Sequence, residues 1–188
     1  MQWHENQTLL MMSMQKRRLI SVLEDKPIEA ALILPFKTAP NIAVNLELVS
    51  GNDHVVIRGQ GEDVDEGNEA FYLIGEENSL GQWWTECWDS DWKPRDLVQD
   101  GMGTPLEKLW RGPRRLRFFY DPEDRQMGLR PKGAFEGASA IAIAERGGRA
   151  TDVILLYAST DAPFSVEIIT TPQRRAEVLR RLVEFHLG

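Results

Sequence analysis

The chain has 188 residues, 42% hydrophobic and 27% charged, the balance of an ordinary globular protein rather than a disordered one. That length suits one domain able to bury roughly 70% of its unfolded surface without a disulfide or metal staple. A net charge of −7 argues against nonspecific nucleic-acid binding, which needs a concentrated basic field, and clean apolar runs such as Ala30 to Leu34 are far too short for a membrane span.

Methionines at positions 1, 11, 12 and 14 leave the translation start open, so residues 1–14 are expected to be an arm outside the domain or a misassigned start. Lys16, Arg17 and Arg18 precede an apolar run broken by Ser21 and closed by Glu24 and Asp25, too short for a signal-peptide core. A single cysteine, Cys87, cannot close an internal disulfide; with no export signal visible, a cytoplasmic protein is expected.

Residues 16–24 read as the end of a short N-terminal helix, with Leu19, Ile20 and Leu23 on one side and a stop near Lys26-Pro27. Strand candidates follow at Ile28 to Phe36 and at Ala43 to Ser50, where Val44, Leu46 and Leu48 alternate onto one face. Gly51-Asn52-Asp53 is a turn signal, and His54 to Arg58 is the hairpin partner. Gly59 to Asn68 reads as a polar loop, and Glu69 to Gly75 as the next strand.

Four of the six tryptophans, Trp83, Trp84, Trp88 and Trp92, then fall within ten residues. Spacing of four between Trp84, Trp88 and Trp92 fits a helical stripe and also one face of a strand. Asp89-Ser90-Asp91 is poor strand material, which favours a short helix or irregular loop ending at Pro94.

Further along, Leu106 to Trp110 fits a helical turn, and Arg115 to Tyr120 a strand. Glu123 to Gly137 is loop-like. Ala138 to Glu145 and Thr151 to Ala158 are strands joined across Gly147-Gly148, whose positive φ a tight hairpin demands, and Phe164 to Thr170 is another. Thr171 and Pro172 open a C-terminal amphipathic helix with Val178, Leu179, Leu182 and Phe185 on its apolar face; Glu177 with Arg181 and Arg180 with Glu184 are the expected outer pairs.

The sum is an α+β single domain over residues 1–188, a mostly antiparallel sheet of about seven or eight short strands with helices at the ends, flat or curled into a partial barrel. Its last three strands and helix, Ala138 to Leu187, resemble the end of a pleckstrin-homology-like domain, in which a C-terminal helix plugs a bent sheet. The resemblance is one of fold and implies no lipid binding.

Between Gln60 and Asp100 twelve acids stand against two bases, a net of −10, so the rest of the chain carries +3. Stiff aromatics interleaved with carboxylates suit a contact surface, because aromatic faces attract cations and add area at low entropic cost. The candidate binding residues are therefore Trp83, Trp84, Trp88, Trp92, Glu86, Asp89 and Asp91. A tryptophan-rich core segment with an acidic outer face is the competing structural reading.

Phosphate-loop, dinucleotide and Gly-x-Ser-x-Gly spacings are absent, and His4, His54 and His186 are too scattered to suggest a zinc set. His54 has the position of a general base or of an ordinary half-exposed strand residue. Cys87 has no nearby cation to activate it and reads as an inert thiol. Glu62 to Glu69 is rich in carboxylates but fails the EF-hand register, so a solvated acidic loop is preferred to a calcium site. Arg111, Arg114, Arg115 and Arg117 suit either an anion or the balancing of the acidic segment, including stacking on its tryptophans.

Phe71-Tyr72-Leu73-Ile74-Gly75 followed by Leu80-Gly81-Gln82-Trp83 resembles the strand and Leu-Gly-x-Trp turn of starch-binding modules, which implies a tryptophan stacked on a glucose ring. The match ends there, since Trp84 follows directly and the region beyond Pro94 has no counterpart.

The expected function is a non-catalytic binding protein that presents this acidic, tryptophan-rich surface to a basic protein partner, with no cofactor and no metal. One alternative is a small-molecule or carbohydrate pocket lined by the four tryptophans. Another is an enzyme of unfamiliar type working through Glu86 and Asp89, since a two-carboxylate site leaves no sequence signature.

Overall fold

The computed structural model describes residues 19–65, 68–77, 94–123, 138–147, 153–158 and 165–185. A helix over residues 19–25 (α1) precedes β1 (Ala30–Phe36), β2 (Ala39–Ser50), β3 (Asp53–Asp65) and β4 (Asn68–Glu77). The two-residue β5 (Arg95–Asp96) runs into α2 (Leu97–Asp100). After it come α3 (Leu106–Arg111), β6 (Arg114–Tyr120), β7 (Ala140–Glu145), β8 (Val153–Ala158), β9 (Val166–Ile169), α4 (Pro172–Leu179) and β10 (Val183–Phe185).

All strand pairs are antiparallel and belong to one sheet in the order β10-β6-β7-β8-β9-β2-β1-β5, with β3 and β4 branching from β2. The branch is made by β2. Its Ile42 and Ala43 pair with Glu167 and Val166 of β9, while Asn45 to Ser50 pair with Arg58 to Asp53 of β3. With β1 along its other edge, β2 serves two diverging neighbours, and the sheet does not close into a barrel.

The divergence creates a space that side chains fill. Odd positions of β7 and even positions of β8 (Ile141, Ile143, Ile154, Leu156) meet Leu46, Leu48, Val55, Ile57 and Leu73 from the branch, together with Leu23 of α1 and Trp110 of α3. The opposite face, carrying Ala140, Ala142, Leu155 and Tyr157, is covered by Val178 of α4 and by Leu182. Burial on both faces is why β7 and β8 read as near-continuous apolar runs rather than alternating ones.

Gly147, with φ +80°, turns the chain after β7 as the Gly-Gly signal requires. The expected helix over residues 16–24 is present at 19–25. Three expectations are corrected. Gly59 to Asn68 is not a polar loop: β3 continues to Asp65, β4 begins at Asn68, and register pairs from Gly59↔Leu73 to Asp63↔Glu69 run through it. The solvated acidic loop expected over Glu62 to Glu69 is accordingly replaced, at its described residues, by paired strands. Among the described residues the strands number ten rather than seven or eight, because β5 and β10, only two and three residues long, leave no pattern in the sequence.

The third correction concerns the C-terminus. Helix α4 stops at Leu179, and Val183 to Phe185 form β10 on the free edge of β6, with Phe185 set against Phe118 and Tyr120 at ring-centroid distances of 6.0 and 5.9 Å. The outer ion pairs change accordingly. Glu184 takes Arg117, Glu177 takes Arg174 at 3.1 Å, and Arg181 donates to the Tyr157 hydroxyl at 3.2 Å. Thr171 stands at the N-cap of α4 without a side-chain cap bond, and Pro172 opens the helix as expected.

Candidate functional site

Trp83, Trp84, Trp88 and Trp92, with Glu86, Asp89, Asp91 and Cys87, lie outside the described residues, as does His186. What is described is the ribbon that leads to them. Beyond Arg58 the paired partner of β3 is β4, and the ribbon carries Glu62, Asp63, Asp65 and Glu69 at register positions past the end of the β2 pairing. The backbone N–H of Leu73 donates to the Ala138 carbonyl at 2.8 Å, which anchors β4 to the segment entering β7.

The four arginines near Gly112-Pro113 serve separate ends. Arg114 is 1% exposed and points inward, because β6 alternates from Arg114 in to Arg115 out. Its guanidinium donates to the Leu23, Val22 and Lys26 carbonyls at the end of α1 and to the Leu109, Trp110 and Gly112 carbonyls at the end of α3. One cation thus satisfies the orphan carbonyls of two helix C-termini, where the helix dipoles also favour positive charge. Desolvation lowers its pKa to about 10, partly offset by Asp25, so it is still charged at neutral pH.

Arg117 forms a two-pronged pair with Glu184, whose hydrogen bond raises the guanidinium pKa, and lies over the Phe119 ring at 5.3 Å. Arg111 pairs with Glu107 at 3.1 Å, and Arg115 is exposed. Sequence reasoning treated these four as one group; the alternation of β6 separates them.

His54 donates to or accepts from Glu47 through Nδ1 at 2.9 Å, a diagonal contact across the β2–β3 pair, and Glu47 is 2% exposed. The pair joins an imidazole to a buried carboxylate, as a dyad would. Among the described residues no group of three metal-ligating side chains occurs.

A cavity of about 400 Å³ opens where α2 and α3 face the start of β8 and the start of α4. Its apolar members include Leu97, Leu106, Trp110 and Ile154, and among the described residues its charged members are Arg95 and Asp100. Asp96 positions this corner: its Oδ1 accepts from Val98 N at 2.9 Å, capping α2, and from Ala31 N at 3.0 Å, tying the helix to β1. Arg95 and Asp100 then form an ion pair, each with a side chain 44% exposed.

Trp110 is 1% exposed, and its Nε1 is a buried donor with no acceptor. Gly101 stands beside it: a Cβ there would lie 3.6 Å from Trp110 Cδ1. Sequence reasoning missed α2 and this cavity. The available signal was Asp96 three residues after Lys93, immediately before Leu97-Val98, an N-cap residue ahead of an apolar pair.

A scan against protein-family models matches none, and searches of curated proteins and of solved structures find no significant match. Among the described residues no helix is long and apolar enough to cross a membrane.

Proposed function

We propose that this is a non-catalytic cytoplasmic binding protein that contacts a basic protein partner through the acidic β3–β4 ribbon and the tryptophan-rich segment directly after it. The observation that carries the reading is the length of the ribbon. β3 has thirteen residues, yet its pairing with β2 ends at Arg58, so the most acidic positions ride on a two-stranded extension. Its register sets Asp63 opposite Glu69. Like charges opposed across a strand pair disfavour that pair, and a cationic partner offsets the penalty.

Aromatic anchors beside such a field supply contact area, while the field steers encounter and selects for basic partners. Capture from lysate on immobilised wild type, Asp63→Lys/Glu69→Lys and Trp88→Ala tests the reading. Proteins retained by the wild type, lost from both variants and released by moderate salt are the expected result. Equal retention by all three, or loss of the fold in Trp88→Ala, overturns it.

A further inference from the structure

We infer that the cavity between α2, α3 and the start of α4 is a small-molecule site for a flat apolar carboxylate, with Arg95 as the group that takes the carboxylate. The site is separate from the proposed protein-contact ribbon and does not depend on it.

Size is the first ground. About 400 Å³ lies within the roughly 300 to 1,000 Å³ range of pockets that enclose small organic ligands. The lining is the second. Leu97 and Leu106, backed by the almost fully buried Trp110 and Ile154, offer an apolar wall to a hydrocarbon body, and such walls with a few convergent polar groups are what ligand pockets present.

Charge is the third. Among the described residues of the lining Arg95 is the cation and Asp100 the anion, and they are paired with each other. A pair this exposed contributes little to the fold and exchanges readily with an external carboxylate of the same chemistry. A guanidinium accepts a carboxylate through two parallel N–H donors, which fixes orientation as well as charge. Asp100 therefore acts as an internal stand-in that a ligand displaces.

The wall also holds the unpartnered Trp110 Nε1. A buried donor without an acceptor is rare in a finished fold.

Calorimetric titration with naphthoate and with its uncharged analogue naphthamide tests the assignment, using the full chain. Naphthoate should bind saturably at one site, and about tenfold or more tighter than naphthamide, as a charge-assisted pair implies. Arg95→Gln should reduce naphthoate to the affinity of the amide while leaving the amide unchanged. Asp100→Asn should tighten naphthoate by about threefold, since the competing internal carboxylate is gone.

Lys26→Gln, which removes a cation elsewhere, should change nothing. Circular dichroism should show all three variants folded, because each altered side chain is well exposed. Absence of saturable naphthoate binding, equal affinity for acid and amide, or indifference to Arg95→Gln overturns the assignment.

Discussion

Gly59 of β3 lies against the backbone of Ser165, at the point where β3 and β9 part from β2. A Cβ on Gly59 would overlap the Ser165 carbonyl group. The contact is between two main chains, so neither can step aside as a flexible side chain would. It is the physical reason the branch can be so tight, and it gives this glycine a role that its neighbours Gln60 and Gly61 obscure in the sequence.

Gly59→Ala should therefore destabilise the protein by about 3 kcal/mol, at the upper end of ordinary overpacking effects. Urea denaturation measures it. A shifted midpoint with an unchanged slope is the expected form, and a loss under about 1 kcal/mol would mean that the branch relaxes freely.

Arg114→Met keeps much of the side-chain volume but strips the donors from two helix C-termini. Buried acceptors left unsatisfied cost about 1–3 kcal/mol each, so a total loss of about 3–5 kcal/mol is expected, with Arg114→Lys in between. The pH dependence has a definite sign. Burial lowers the folded guanidinium to about 10. The unfolded chain thus binds more protons only above that value, where this group's contribution to stability rises with pH. From about pH 6 to about 8 both states hold the proton, and the wild-type-to-Met difference should be flat. A slope there would assign the effect to another group.

Arg174 bridges α4 to β9 through a two-pronged pair with Glu167, both bonds 2.9 Å, and that hydrogen bond raises the arginine pKa. Glu167 is the better shielded partner, at 12% side-chain exposure against 33% for Arg174. Allowing for that exposure, Glu167→Gln should cost about 1 kcal/mol. Hydrogen exchange should show α4 opening before the sheet. Uniform loss of protection across β7 and β8 instead would deny α4 this local latch.

Tryptophan emission separates the surface and core readings of the aromatic segment. In single Trp→Phe variants at positions 83, 84, 88 and 92, rings that form a contact surface should emit at long wavelength and quench with both iodide and acrylamide. Trp88→Ala and Trp92→Ala should then leave stability within about 1 kcal/mol. Protected, blue-shifted emission with losses of about 3–5 kcal/mol would place the rings in a core and remove the aromatic half of the proposed contact surface.

Much of the strand content was legible. β1, β2, β6, β7, β8 and β9 each coincide with an apolar or alternating run, because a strand buried on one or both faces must carry that pattern. β4 was legible as well, from Glu69 to Gly75, but the continuation of β3 from Gly59 to Asp65 was not. Gly59, Gly61 and a series of acids are poor strand formers, and pairing with β4 holds them extended. Val183 to Phe185 failed for the opposite reason. Leu182 and Phe185 continue a helical spacing that is satisfied equally well by one residue at the end of the helix and another in an edge strand.

The candidate site divides in the same way. The acidic and aromatic character of residues 60–100 is composition, visible in any conformation. The cavity is assembled from Arg95, Asp100, Trp110 and Ile154, which belong to four separate elements, and no spacing along the chain announces it.

By itself the sequence determined an antiparallel α+β protein, the positions of most strands, and the concentration of charge and aromatics in one segment. These are local properties, set by side-chain period, turn chemistry and composition. Only the tertiary structure decided the branching of β2, the burial of Arg114 between two helix ends, the edge strand at the C-terminus and the cavity beside Trp110. Each of these depends on which distant backbones come into contact, and contact is settled by the free energy of the whole packed arrangement rather than by any residue's own preference.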